Sequence, residues 1–160
     1  MKILNIDSPD ARPAAYFGID VPFMRHIGLL PERLEPGLAR TRLPLQEELL
    51  NSRGDVHGGT LMSALDFTLS AAARSHDPLA TGVITVEMST HFLGAARTDL
   101  VFEASTIRRG SRIVFCEGEA RDEHGNAVCV ARATFKLVHV ANHASGGDPS
   151  GNPQAETTLL

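Results

Sequence analysis

The chain has 160 residues, 42% of them hydrophobic, which is enough for one domain with a buried core. Its 15 Lys and Arg against 19 Asp and Glu give a formal charge of −4. That argues against a general nucleic-acid or membrane-surface binder, since both need a basic excess.

No apolar run reaches the roughly 18 residues needed to span a bilayer, and the N-terminus lacks the apolar stretch of a secretory signal. A cytoplasmic protein with no membrane partner is expected. Residues 1–20, with Pro9, Pro13 and little periodicity, read as an N-terminal arm leading to a short helix near 23–26. Residues 27–34 and 38–45 read as two strands around Glu35-Pro36-Gly37, a turn sequence. A polar loop follows over 46–56, then a helix from about 58 to 75 that must end before Asp77-Pro78, because proline cannot continue the hydrogen-bond ladder.

Beyond the helix the period changes to two. Ile84, Val86, Met88 and Phe92 alternate with Thr85, Glu87, Ser89 and His91, which describes a half-buried strand with Thr85 on its polar face beside Glu87. Residues 99–108 and 112–121 form two more strands around Arg109-Gly110-Ser111, and 127–139 forms the last. From Ala141 the chain is rich in Gly, Ser, Pro and Asn, so 141–160 is expected to be a disordered tail. The domain is thereby bounded at 21–140. Two strands, one long helix and a run of antiparallel strands predict an α+β fold with the sheet wrapped on the helix. Such a sheet leaves edges, which pairing between subunits would cover.

The segment from Asn51 through His57-Gly58-Gly59 to Asp66 joins a polar, glycine-bearing loop to an apolar helix. Leu61, Leu65, Leu69 and Ala72 form one helical stripe. Asp66 lies at its margin with Ser63 and Ser70, flanked by Met62 and Ala73, where a carboxylate loses hydration. Gly58 and Gly59 allow a ligand to approach the backbone, and their N–H groups at a helix start suit an oxyanion. A plain N-terminal glycine turn would show the same His-Gly-Gly. Nine residues from His57 to Asp66 span about 13.5 Å and half a turn beyond two full ones, on opposite helix faces. If both act on one reacting group, a second copy of the chain must complete the site.

Arg109-Gly110-Ser111-Arg112 places two guanidinium groups around a tight turn, either as a phosphate clamp or as a solvated hairpin tip. Cys116 and Cys129, 13 residues apart and without a CxxC, make a poor metal site and are expected to be reduced core thiols. The seven histidines show no ligand spacing, so no metal is expected. Ser63 lacks a nucleophile-elbow context, and no Walker or His-Glu-x-x-His motif occurs.

The pattern Asn51-x-x-Gly54-x-x-His57-Gly58-Gly59-(x)6-Asp66 resembles the active-site segment of hotdog-fold acyl-CoA thioesterases of the PaaI-like, phenylacetic-acid-degradation subfamily. The resemblance runs on through Gly82 to Phe92, Arg109-Gly110-Ser111-Arg112, Gly125 and Ala131-x-Ala133-x-Phe135. It implies a five- or six-stranded antiparallel sheet around a central helix, a homodimer with a continuous sheet and commonly a homotetramer. It also implies hydrolysis of an acyl-CoA without metal or redox cofactor. Asp66 would be nucleophile or general base, facing Asn51, His57 and Gly58 of the other subunit. Asn51 would orient the attacking group, His57 would support the thioester carbonyl and Gly58 would hold the oxyanion. Thr85 falls near the water, and Gly59, Met62 and Ser63 lie on the acyl side. Arg109, Gly110 and Arg112 lie along the CoA path.

Two other readings use the same fold. A hydratase or dehydratase acting on acyl thioesters needs His and carboxylate placed for proton transfer at the α and β carbons, in motifs absent here. A non-catalytic acyl-CoA regulator would have no need of a carboxylate at position 66.

Overall fold

Six strands and one long helix account for most of residues 16–140, the part of the chain that the computed structural model describes. The elements are α1 (Pro22–His26), β1 (Leu30–Glu35), β2 (Leu38–Leu43), α2 (Gly58–Arg74), β3 (Thr81–Phe92), β4 (Leu100–Arg109), β5 (Ile113–Arg121) and β6 (Ala127–His139). All six strands form one antiparallel sheet in the order β1-β2-β4-β5-β6-β3. This is the α+β arrangement the hydrophobic periods predict. The arm expected over 1–20 is described only from Tyr16, and the tail expected over 141–160 lies outside the described residues. Among the described residues no helix is long and apolar enough to cross a membrane.

Helix α2 lies on the sheet because its apolar stripe matches the inward side chains of the strands. Leu61, Leu65, Leu69 and Ala72 share one buried core with Phe102, Val114, Cys116 and Phe135. Gly118 leaves room for the helix and the neighbouring strand: a Cβ there would come within 2.7 Å of the Glu103 carbonyl and 3.2 Å of Leu69 Cδ2. Two polar pins fix the helix along its axis. The fully buried hydroxyls of Thr41 and Thr68 meet at 2.8 Å, and Thr68 also donates to the Ala64 carbonyl. At the helix end, Ser75 Oγ donates to the Ala72 carbonyl and accepts the Gly37 amide from the β1–β2 turn at 2.7 Å. A buried hydroxyl without such partners would be costly.

Three expectations are corrected. The first strand begins at Leu30 rather than at residue 27, because Ile27 closes α1 and Gly28 turns the chain at φ +73°. The loop over 46–56 contains a 3-10 turn, Glu47–Leu49. The third correction bears on the site. Strand β3 does not alternate simply, because its register with β6 shifts between Thr85 and Glu87, leaving Val86 as a bulge. One extra residue inverts the faces beyond it. Thr85 therefore pairs with the buried Phe135 and faces the helix, whereas Glu87 pairs with Thr134 and faces outward. Ile84, Val86 and Phe92, expected on the buried side, are all more than half exposed.

The two sheet edges differ. Strand β1 is short and carries Pro31, Glu32, Arg33 and Glu35, features that discourage further pairing. Strand β3 is 12 residues long and presents Ile84 and Val86. Cys116 and Cys129 are buried and unpaired, and burial pushes both thiols up to about 11.

Candidate active site

Asp66 sits midway along α2, half-buried, between the fully covered Leu65 and the buried Phe67. Burial pushes its carboxyl above the ordinary 3.8, and a hydrogen bond from Thr85 pulls partly the other way. That bond, Thr85 Oγ1 to Asp66 Oδ1 at 2.9 Å, is the contact the bulge at Val86 makes possible. Simple alternation puts Thr85 on the outer face and the resemblance puts it near the reacting water; the bulge turns it to the helix side. The structure brings Thr85 and Asp66 together.

His57 is the N-cap of α2. Its Nδ1 accepts the Gly59 amide at 2.9 Å, so the neutral ring carries its proton on Nε2, which remains exposed as a donor. A Cβ at Gly59 would crowd this cap, coming within 3.1 Å of His57 Nδ1. The Thr60 and Leu61 amides bond the His57 carbonyl. The Gly58 amide has no partner among the described residues, so it is the remaining donor of the helix N-terminus. Gly58 lies against Phe92, whose ring a Cβ at 58 would meet at 3.3 Å.

The loop before the helix is held rigidly. Asn51 Oδ1 accepts the amides of Arg53 and Asp55 at 2.8 and 3.3 Å, which leaves its NH2 without an acceptor among the described residues. The His57 amide donates to Leu49 and the Val56 amide to Ala96, each at 2.8 Å. Asp55 accepts from Arg97 at 2.6 Å and from Arg53 at 3.5 Å, and these guanidinium groups hold its carboxyl below the usual range.

Ser63 spends its hydroxyl proton on the Gly59 carbonyl at 2.8 Å, and Met62 is 43% exposed. Arg109 reaches inward, donating to the Ala73 carbonyl at 2.7 Å near the end of α2, a favourable place for a cation. Gly110 and Arg112 stand at the β4–β5 tip, where the Gly110 amide bonds the Ile113 carbonyl at 2.8 Å. Within one chain, α2 runs unbroken from Gly58 to Arg74, so the two ends of the motif stay apart as the spacing requires. A hollow of about 700 Å³ lies on the outer sheet face, lined by Ser89, Glu103, Ser105 and Glu119, and it includes neither Asp66 nor Gly58. Among the described residues no cluster of His, Cys, Asp or Glu could hold a metal.

Arg74 was missed by the sequence reading. The residue is 2% exposed and its guanidinium donates to the carbonyls of Tyr16, Phe17 and Pro78, with burial lowering its pKa to about 10. It pins the segment before α1 over Phe67, whose ring meets Tyr16 edge-on at 5.5 Å and stacks with Phe17 at 6.2 Å. In the sequence it looks like any basic residue in a last helical turn.

Comparison with known proteins agrees with this architecture. The profile of the Thioesterase superfamily matches residues 53–129, from the loop before α2 into β6. A protein of Halobacterium salinarum named "Putative esterase" is 31% identical over 129 residues, covering 74% of this chain and 85% of its own. The solved structure of a thioesterase family protein from Silicibacter pomeroyi superposes with a TM-score of 0.71 at 25% identity, over 75% of this chain and 91% of that one. Escherichia coli PaaI, from the phenylacetic acid degradation operon, shares the fold at 17% identity, with a TM-score of 0.70 over 74% and 86% of the two chains. On the sheet-on-helix architecture, the matched loop–helix segment and these relatives, the chain belongs to the thioesterase superfamily and is a thioester hydrolase of the hotdog fold.

Proposed function

We propose that the chain hydrolyses an acyl-CoA thioester, with Asp66 as general base or nucleophile, in sites shared across a homodimer. The observation that carries this reading is a desolvated carboxylate with raised basicity, held by Thr85 on the same helix whose N-terminal Gly58 amide has no partner among the described residues. The acid and the oxyanion donor lie about 12 Å apart along the helix axis, so one chain supplies one of each to different sites. The long apolar edge at β3, with Ile84 and Val86 outward, is the edge that a second copy would cover.

In this scheme Asp66 of one subunit removes a proton from water, or attacks the thioester carbonyl itself. Gly58 N–H and His57 Nε2–H of the other subunit stabilise the developing oxyanion. One such donor is typically worth about 3 kcal/mol in the transition state. The carbon–sulfur bond then breaks and CoA leaves as its thiolate, taking up a proton. Attack by water gives the free acid directly, whereas attack by Asp66 leaves an acyl–aspartyl anhydride that water hydrolyses to the acid and the regenerated carboxylate. The Asn51 NH2 donates to the attacking oxygen, while Met62 and Gly59 border the acyl group. Release of CoA from an acyl-CoA panel, followed with a thiol reporter, tests the reading. Wild type should release thiol and Asp66→Ala should not; equal rates in the two would refute it.

A further inference from the structure

Asp55 is the one buried acidic residue among the described residues, and the chemistry assigned to Asp66 makes no use of it. A buried carboxylate is retained only where partners offset its lost hydration. Arg97 Nε stands 2.6 Å from its Oδ1, and Arg53 Nε stands 3.5 Å from its Oδ2. The second contact is too long for a firm hydrogen bond, so Arg97, in the loop after β3, is the partner that holds it.

Both segments joined by this pair bear on the site. The turn over 51–56 is exposed at Ser52, Arg53 and Gly54, so little apolar burial fixes it. Asp55 closes its mouth. The Asn51 amide donates to the Asp55 carbonyl at 2.7 Å, and the Asp55 amide is one of the two donors to Asn51 Oδ1. The buried Val56 then leads directly to His57 and Gly58 at the start of α2. The loop after β3 is the firm side: the Leu93 and Gly94 amides both donate to the Val128 carbonyl of β6, and Ala96 is buried. Two neighbouring ties, the Val56 amide to the Ala96 carbonyl and Asp55 to Arg97, fasten the turn to the sheet.

We propose that Asp55 and Arg97 are positioning residues for the thioester reaction, their ion pair holding the turn so that the Asn51 NH2 and the Gly58 amide keep their places at the reacting centre. The inference rests on the acyl-CoA reading above and adds two residues that touch no substrate. Small displacements of aligned groups are costly, because the transition state depends on their geometry. The Arg97 side chain is 67% exposed, so replacing it opens no cavity in the core, and its effect is separable from unfolding.

The test measures thiol release from an acyl-CoA and amide hydrogen exchange in wild type, Arg97→Ala, Arg97→Lys and Asp55→Asn. Arg97→Ala and Asp55→Asn should each lower kcat by on the order of tenfold and leave KM within about twofold of wild type. Arg97→Lys keeps a cation but not the guanidinium geometry, and should recover part of the loss. In an Asn51→Ala background Asp55→Asn should cost less than it does alone, because the two changes disable one group. Exchange should quicken over residues 50–57 in Arg97→Ala and stay unchanged along the rest of α2. A raised KM at unchanged kcat, which would put Arg97 on the substrate, overturns the proposal, as do full additivity with Asn51→Ala or unchanged exchange over 50–57. If wild type releases no thiol, the hydrolase reading fails while the exchange arm still decides whether the pair holds the turn.

Discussion

Thr85 Oγ1 donates to Asp66 Oδ1 at 2.9 Å, tying the edge strand to the one carboxylate of helix α2. The hydroxyl stabilises the ionised form and so opposes the rise that burial imposes. Removing it in Thr85→Val should raise the Asp66 pKa further and move the acidic limb of the kcat/KM profile to higher pH. Below neutrality the activity should fall roughly tenfold, the scale of one hydrogen bond to a charged group. Thr85→Ser keeps the donor and should keep the limb in place. A Val variant with an unshifted limb would show that the bond has no part in tuning Asp66.

Asp66→Asn separates stability from activity. The folded pKa of Asp66 lies above its unfolded value, so the folded state holds the proton more tightly. Its contribution is then most favourable below the ordinary 3.8 and is lost as pH rises through the raised value. At neutral pH the ionised, half-buried carboxylate is a cost. Asp66→Asn should raise Tm near pH 7, and the gain should shrink on acidification toward pH 4. The same change should lower kcat by on the order of 10³-fold, as expected for loss of a general base. A Tm difference independent of pH would contradict the titration argument.

The elements were legible because their periods were clean. The stripe Leu61, Leu65, Leu69 and Ala72, with Asp66 at its margin, follows from helical spacing alone, and all four stripe residues are buried in the structure. The strand order was not legible, since nothing local states that β3 crosses to the edge beside β6. The bulge at Val86 escaped for the same reason: a two-residue pattern cannot show where an extra residue is tolerated, so the sequence assigned Thr85 to the outer face. At the site, Asp66, His57 and Gly58 stood out by residue type, but the sharing of labour between neighbouring amides did not. That His57 Nδ1 takes the Gly59 amide, leaving Gly58 as the donor, depends on a rotamer.

Arg74 offers a test of what positions the segment before α1. Its guanidinium satisfies carbonyls of Tyr16, Phe17 and Pro78 inside the core. Arg74→Ala would leave these acceptors without a donor and should cost about 3 kcal/mol of unfolding free energy in urea titration. Arg74→Lys keeps the charge but not the fork, so it should fall between. Stability within about 0.5 kcal/mol of wild type in the Ala variant would mean that water replaces the guanidinium.

Division of the site between two subunits can be read from mixed dimers. Gly58→Ala places a methyl group 3.3 Å from the Phe92 ring, beside the amide that should hold the oxyanion, and should lower kcat by about 10²-fold. Asp66→Asn removes the acid. Each variant alone should be nearly inactive. Unfolded together and refolded as an equal mixture, half the dimers would be mixed, and each mixed dimer would join the intact Gly58 of one chain to the intact Asp66 of the other. Activity should therefore recover to about a quarter of wild type per chain. If both groups acted within one chain, mixing would restore nothing, because each chain of the mixed dimer would still lack one of them. The geometry favours recovery: Asp66 lies eight positions beyond Gly58 along an unbroken helix, and at about 1.5 Å per position that gap is too long for one thioester carbonyl to meet both.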